Sequence, residues 1–173
     1  MKILKFVSGL VLSCLMLIAC GGKEEKKKEG FTYENTETTK TETVAKDADV
    51  ETVVLVGTDL MKFDITEIRV KAGKKVKLTL RHKGKLDINV MGHNFVLLNQ
   101  GVDLASFAAK AATSKDNKYI PKGSEQDVIA HTDVIGGGQT TTIEFDAPAA
   151  GTYDFLCSFP GHYMMMKGAF IVE

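Results

Sequence analysis

Residues 50–173 predict an all-β fold, a sandwich or Greek-key barrel of about eight strands with one short helical insertion. Three observations carry that expectation. Apolar and charged side chains alternate with a period of two, turn-forming residues recur every 8–12 positions, and only one stretch shows helical spacing. The alternation is clearest where Val76, Leu78 and Leu80 interleave with Lys75, Lys77, Thr79 and Arg81, which places apolar groups on one face and charges on the other. Glu51 to Val56 and the run holding Phe63, Ile65, Ile68 and Val70 read as further strands. Ala72-Gly73-Lys74 and His82 to Lys85 supply turns. Ile88 to Val90 and Asn94 to Leu98 read as strand material on either side of Gly92-His93. Val128 to Ala130, Thr140 to Phe145, Tyr153 to Cys157 and Gly168 to Val172 complete the set. Between them, Asp103 is placed to cap a helix through Ala112 in which Leu104, Phe107, Ala108 and Ala111 share a face. No internal repeat or second domain is evident.

The 173 residues balance 22 Lys and Arg against 22 Asp and Glu, and residues 51–173 hold 14 of each. With no basic field, composition gives no argument for nucleic acid as a partner. The first fifty residues differ in kind. Lys2 and Lys5 precede an apolar run from Phe6 to Ile18, shorter than the ~20 residues of a membrane-spanning helix and suited to an export signal over residues 1–19. The run ends in Leu17-Ile18-Ala19-Cys20, which resembles the bacterial lipoprotein box, with cleavage before Cys20 and lipidation of its sulfur. The mature chain would then hold 154 residues, anchored to a bacterial membrane and facing the periplasm or cell surface. Residues 20–49, rich in Lys, Glu and Thr, bury too little apolar surface to order themselves. They read as a tether of about 28 residues with a coil reach of about 25–35 Å.

Loss of Cys14 with the signal and acylation of Cys20 would leave Cys157 as the one free thiol. An unpaired cysteine outside the cytoplasm is an oxidation liability, which points to one that is shielded, lipidated, reactive or bound to a metal. Its neighbours favour metal. Cys157, His162 and Met166 form a Cys-x4-His-x3-Met loop around Pro160-Gly161, and Gly92-His93-Asn94 lies upstream at a strand end. A thiolate and two imidazoles in a plane with a weakly held axial thioether make up a type 1 copper centre. A Cys-His nucleophile pair is the rival, but this motif offers no oxyanion hole and leaves the methionine without a role. Zinc is disfavoured because a thioether binds it poorly.

Met91-Gly92-His93-Asn94-Phe95-Val96, Val128-Ile129-Ala130-His131-Thr132 and the Cys157 to Gly168 loop together resemble the azurins, bacterial cupredoxins that carry single electrons, over about residues 51–173. The resemblance implies a cupredoxin barrel with a helical flap and one copper ion. His93, Cys157 and His162 would lie in its equatorial plane, with Met166 and the Gly92 carbonyl on the axis. Asn94 would hydrogen-bond the Cys157 sulfur from just outside that shell. His162 would present its ring edge through an apolar patch that includes Met61, Met91, Phe159 and Pro160, where cytochrome- or copper-type redox partners would dock. His82 and His131 match positions that do not hold the metal. His82 is open to two readings, a group titrating near neutrality or a buried neutral ring with satisfied hydrogen bonds.

The departures are as definite as the matches. The azurin disulfide positions hold Glu51 and Gly73, there is no tryptophan, and Tyr163, Met164 and Met165 make the ligand loop bulky. The expected activity is one-electron transfer by a membrane-anchored shuttle and not enzymatic turnover. A copper-handling lipoprotein using the same ligands is the alternative.

Overall fold

The computed structural model describes residues 49–173; the signal, Cys20 and nearly all of the tether lie outside the described residues. Two sheets face each other. One comprises β1 (Val50–Thr58), β2 (Lys62–Phe63), β4 (Lys75–His82) and β7 (Thr140–Asp146), in the order β2-β1-β4-β7. The other comprises β3 (Glu67–Val70), β9 (Lys167–Val172), β8 (Gly151–Leu156), β5 (Val96–Leu98) and β6 (Val128–His131), in the order β3-β9-β8-β5-β6. β1 runs parallel to β4 and β3 parallel to β9, while the remaining pairs are antiparallel. This is the expected all-β architecture. Among the described residues the strands number nine because the apolar run from Phe63 to Val70 breaks into β2 and β3 at the exposed Ile65.

The alternation in β4 does what its pattern predicts. Val76, Leu78 and Leu80 are fully buried and meet Leu55, Phe95, Phe155 and Phe170 between the sheets. Each such side chain withdrawn from water contributes about 1.5–3 kcal/mol. β5 has no polar face at all, because α2 (Leu104–Ala111) lies over its other side with Phe107, Ala108 and Ala111 packed near Val96, Leu98 and Leu156. Asp103 caps that helix, its carboxylate accepting from Ser106 N at 2.8 Å.

One expected strand is a helical turn. The strand preference of Ile and Val predicts an extended Ile88 to Val90, yet α1 (Ile88–Met91) forms there. The Asp87 carboxylate accepts from Asn89 N at 2.8 Å, and the Val90 and Met91 amides close onto the Asp87 carbonyl at 2.9 Å. A local cap overrides a weak propensity over so short a span.

The strand registers bring the metal-ligand candidates to one end of the sandwich. Gly57 in β1 pairs with His82 in β4, and Val96 in β5 pairs with both Leu156 in β8 and His131 in β6. His93 makes an isolated bridge with Ile135 two residues before Phe95 enters the core, and Cys157 follows directly on β8.

Candidate metal centre

Cys157 opens a loop that closes on itself at Met166, the Cys157 amide donating to the Met166 carbonyl at 2.8 Å before β9 begins. Inside it, Phe159 to His162 form a tight turn in which His162 N donates to the Phe159 carbonyl at 3.1 Å and Gly161 has φ +80°. Proline followed by glycine is what such a type II turn requires. The Met165 and Met166 amides then return to the His162 carbonyl at 3.0 and 2.8 Å, which fixes the His162 backbone on both sides.

Three donor atoms converge in a buried space. His93 Nδ1 lies 3.2 Å from His162 Nδ1, Cys157 Sγ lies 3.6 Å from His162 Nδ1, and Cys157 Sγ lies 4.0 Å from His93 Nδ1. These sides define an acute triangle whose equidistant point falls within it, about 2.1 Å from every donor, the length of a bond from imidazole nitrogen or thiolate to a first-row metal ion. The donor set therefore fits a metal held in a trigonal plane. Gly92 O stands 3.9 Å from Cys157 Sγ, and Met166 is fully buried at the close of the loop.

The surrounding bonds orient each donor. His93 Nε2–H donates to the Thr58 carbonyl at 3.0 Å, which leaves Nδ1 with its lone pair facing the other donors. Gly57 allows that ring its place, since a Cβ there would stand 2.6 Å from His93 Cδ2. On the other side His82 stacks on His93 with centroids 4.2 Å apart and planes 13° from parallel. His82 Nδ1 accepts from Gly84 N at 2.9 Å and Nε2 donates to the Met91 carbonyl at 2.8 Å, so both nitrogens of this buried ring have partners. His131 sits exposed at the end of β6, its Nδ1 3.1 Å from the Thr132 carbonyl.

Burial sets the protonation of the donors. Desolvation pushes the Cys157 thiol up to about 12 against the opposing pull of hydrogen bonds from the Asn94 and Phe159 backbones. It also lowers His162 to about 4 and holds His93 below its ordinary value. Without metal the site is a neutral thiol beside two neutral imidazoles. Asn94 acts on the sulfur through its main chain, while its side chain is committed to Ser158: Nδ2 donates to Ser158 Oγ and Oδ1 accepts from Ser158 N, both at 2.8 Å.

A profile of copper binding proteins, plastocyanin/azurin family, matches residues 48–173. The chain belongs to this family. It is 47% identical over 120 residues to azurin-1 of Alcaligenes xylosoxydans xylosoxydans, covering 67% of this chain and 92% of that protein. It is 45% identical over 120 residues to the azurin of Bordetella pertussis, covering 67% and 79% respectively. Among solved structures it is similar to auracyanin A, a blue copper protein of Chloroflexus aurantiacus, with TM-score 0.65, 29% identity and coverage of 72% of this chain and 99% of that one. An azurin from Methylomonas sp. strain J gives TM-score 0.63 and 32% identity over 70% and 97%. Membership makes copper the metal for this donor set and makes the protein an electron carrier, not an enzyme.

The apolar patch is only partly a surface. Met61 is 37% exposed, Pro160 is exposed and Met91 is half-buried, but Phe159 is buried. The Phe159 ring packs between Tyr119 and His162 at centroid distances of 5.0 and 4.8 Å, so it forms a wall of the site and not a docking contact. His162 is itself buried, at 3% exposure. Leu60, Val90, Met164 and Met165, none expected in the patch except as loop bulk, are the more exposed apolar groups. Sequence reading also missed the Thr58 carbonyl, Gly57 and Ser158. Main-chain acceptors carry no side-chain signature, and a glycine or serine beside a motif signals nothing until its neighbour is known.

Proposed function

We propose that this protein is an azurin-like electron shuttle in which His93, Cys157 and His162 would hold a type 1 copper ion, with Met166 and the Gly92 carbonyl as weaker additional donors. The observation that supports this most directly is the donor triangle, closed to the dimensions of metal bonds within a buried and already satisfied framework. Bound copper supplies the Cu(II)/Cu(I) couple. The chain's residues do the rest. The Cys157 loop, closed at Met166 and turned at Gly161, and the His93 ring, held between Gly57 and His82, resist rearrangement between the two oxidation states. Burial of all three donors excludes water. Such a closed site suits redox use better than copper handling, which calls for an open and exchangeable one.

Electrons would enter and leave near His162, through a surface that includes the exposed Met61 and Pro160 and the half-buried Met91, facing a cytochrome- or copper-type partner. Lipidation of Cys20 would hold this surface close to a bacterial membrane through the 20–49 tether, which raises its effective concentration near membrane-associated partners.

Loading the full chain with Cu(II) tests the site. An intense red-region absorption band with narrow parallel copper hyperfine splitting, bleached reversibly by reductant and lost in Cys157→Ser, is expected. A Cys157→Ser protein that stays blue would refute the ligand assignment. Membrane anchoring is tested separately by fractionating cells that express Cys20→Ala, which should release the protein; retention in the membrane fraction overturns the anchor.

A further inference from the structure

We propose that Asp59 is a positioning residue of this copper site, whose fixed negative charge biases the site toward the oxidised ion through the stacked pair His82 and His93. The inference rests on the copper-site reading above. Asp59 follows Thr58, whose carbonyl orients His93, and its carboxylate reaches across to the turn after β4. Oδ2 accepts from Lys85 N at 2.7 Å and Oδ1 from Leu86 N at 3.4 Å. The same Oδ1 lies 3.9 Å from His82 Nε2. These backbone donors, Lys85 first, hold the Asp59 carboxyl below the usual carboxylate range, so it is ionised at neutral pH.

The clamp is tight. A Cβ on Gly84 would fall 1.9 Å from Asp59 Oδ1 and 2.5 Å from His82 Cε1, so the turn fits between carboxylate and ring only as glycine. That turn delivers the Gly84 amide to His82 Nδ1, and His82 in turn holds the Met91 carbonyl and lies flat on His93. One carboxylate thus orders the ring behind a proposed ligand and places an anion beside it. Oxidation adds one positive charge to the centre, and a nearby fixed anion favours the state that carries it. Because the Asp59 side chain is 31% exposed, solvent screens part of this effect and its removal leaves no buried charge unpaired.

The test compares full-length wild type, Asp59→Asn and Asp59→Ala. Asparagine keeps an acceptor oxygen for the turn and removes the charge. At a fixed applied potential its Cu(II)/Cu(I) ratio should fall about three- to tenfold, equivalent to a potential about 30–60 mV higher at 59 mV per tenfold. Alanine should show the same rise and, in the copper-free protein, faster hydrogen exchange at the Lys85 and Leu86 amides. An Asn variant that keeps the visible band and the wild-type potential overturns the proposal, as does a shift seen in Ala alone. If Asn fails to fold, Asp59→Glu must retain the wild-type ratio within about twofold where Ala does not, and a Glu variant that shifts as Ala does is equally fatal. A wild type without the visible band would instead overturn the copper-site reading.

Discussion

Asn94 and Ser158 are bonded twice, Asn94 Nδ2 to Ser158 Oγ and Ser158 N to Asn94 Oδ1, each at 2.8 Å and both buried. These residues are adjacent in sequence to His93 and Cys157, so the pair sets the spacing between the segments that carry two of the donors. Ser158 Oγ continues the network by donating to the Tyr119 carbonyl at 2.8 Å. Asn94→Ala removes both bonds and leaves the Ser158 amide unpaired in the core. It should destabilise the copper-free protein by about 2–4 kcal/mol, and Ser158→Ala, which keeps the main-chain leg but leaves Asn94 Nδ2 without its acceptor and the Tyr119 carbonyl without its donor, should cost about 1–3 kcal/mol. Urea denaturation of the two variants and of the double mutant measures the coupling, and costs that simply add in the double mutant would contradict the shared bond between the two side chains.

Gly57 limits the site from the opposite side. An alanine methyl there would meet His93 Cδ2 at 2.6 Å, and the ring has little room to yield because His82 is stacked against it at 4.2 Å. Gly57→Ala should therefore displace Nδ1 from the donor triangle and lower Cu(II) affinity at least about tenfold, with an overpacking cost of about 1–3 kcal/mol. Competition with a chelator and denaturation of the copper-free form read the two effects separately. A variant with undiminished affinity would mean that the framework relaxes more than its packing implies.

The parts of this protein that were legible in its sequence are those where side-chain type alone decides the outcome. The alternation of Val76, Leu78 and Leu80 dictates a half-buried strand, Asp103 ahead of Leu104, Phe107 and Ala108 dictates a capped helix, and Cys157, His162 and Met166 around Pro160-Gly161 converge because a tight turn leaves them no alternative. What was hidden depends on partners remote in sequence. The Thr58 carbonyl meets His93 across 35 residues, and Asn94 meets Ser158 across 64. Phe159 reads as a surface aromatic until Tyr119 and His162 are placed on either side of it. Ile88 to Met91 illustrates the opposite case, a local signal from Asp87 outweighed in the reading by the strand preference of Ile and Val.

His162 gives the copper-free protein a pH dependence of definite sign. Its imidazole takes a proton near 6.5 in the unfolded chain but only near 4 in the folded site, because burial disfavours the charged ring. Between those values the unfolded state binds more protons, so stability is full above about pH 6.5 and declines as pH falls toward about 4. The total loss from this group is no more than about 3 kcal/mol. His93, also held low by burial, acts in the same direction. Denaturation midpoints of the copper-free protein from pH 8 to pH 4 should fall accordingly, and His162→Asn should flatten the decline. A slope left intact in that variant would assign the effect elsewhere.

Cys157 makes copper uptake a proton-releasing reaction. Its thiol, raised to about 12 by burial, is protonated throughout the neutral range, yet the metal takes the thiolate. His93 and His162 are already neutral at pH 8 and contribute no proton. Each Cu(II) bound at pH 8 should therefore release about one proton, and apparent affinity should rise about tenfold per pH unit from 7 to 9 where the copper concentration is buffered. Titration in weak buffer with a pH indicator counts the protons directly, and Cys157→Ser should release none. Wild-type uptake without proton release would mean either that the thiolate exists before the metal arrives or that the sulfur is not a ligand. The Cys157→Ser comparison separates these cases, because only a ligating sulfur gives the wild type a charge-transfer band that the variant lacks.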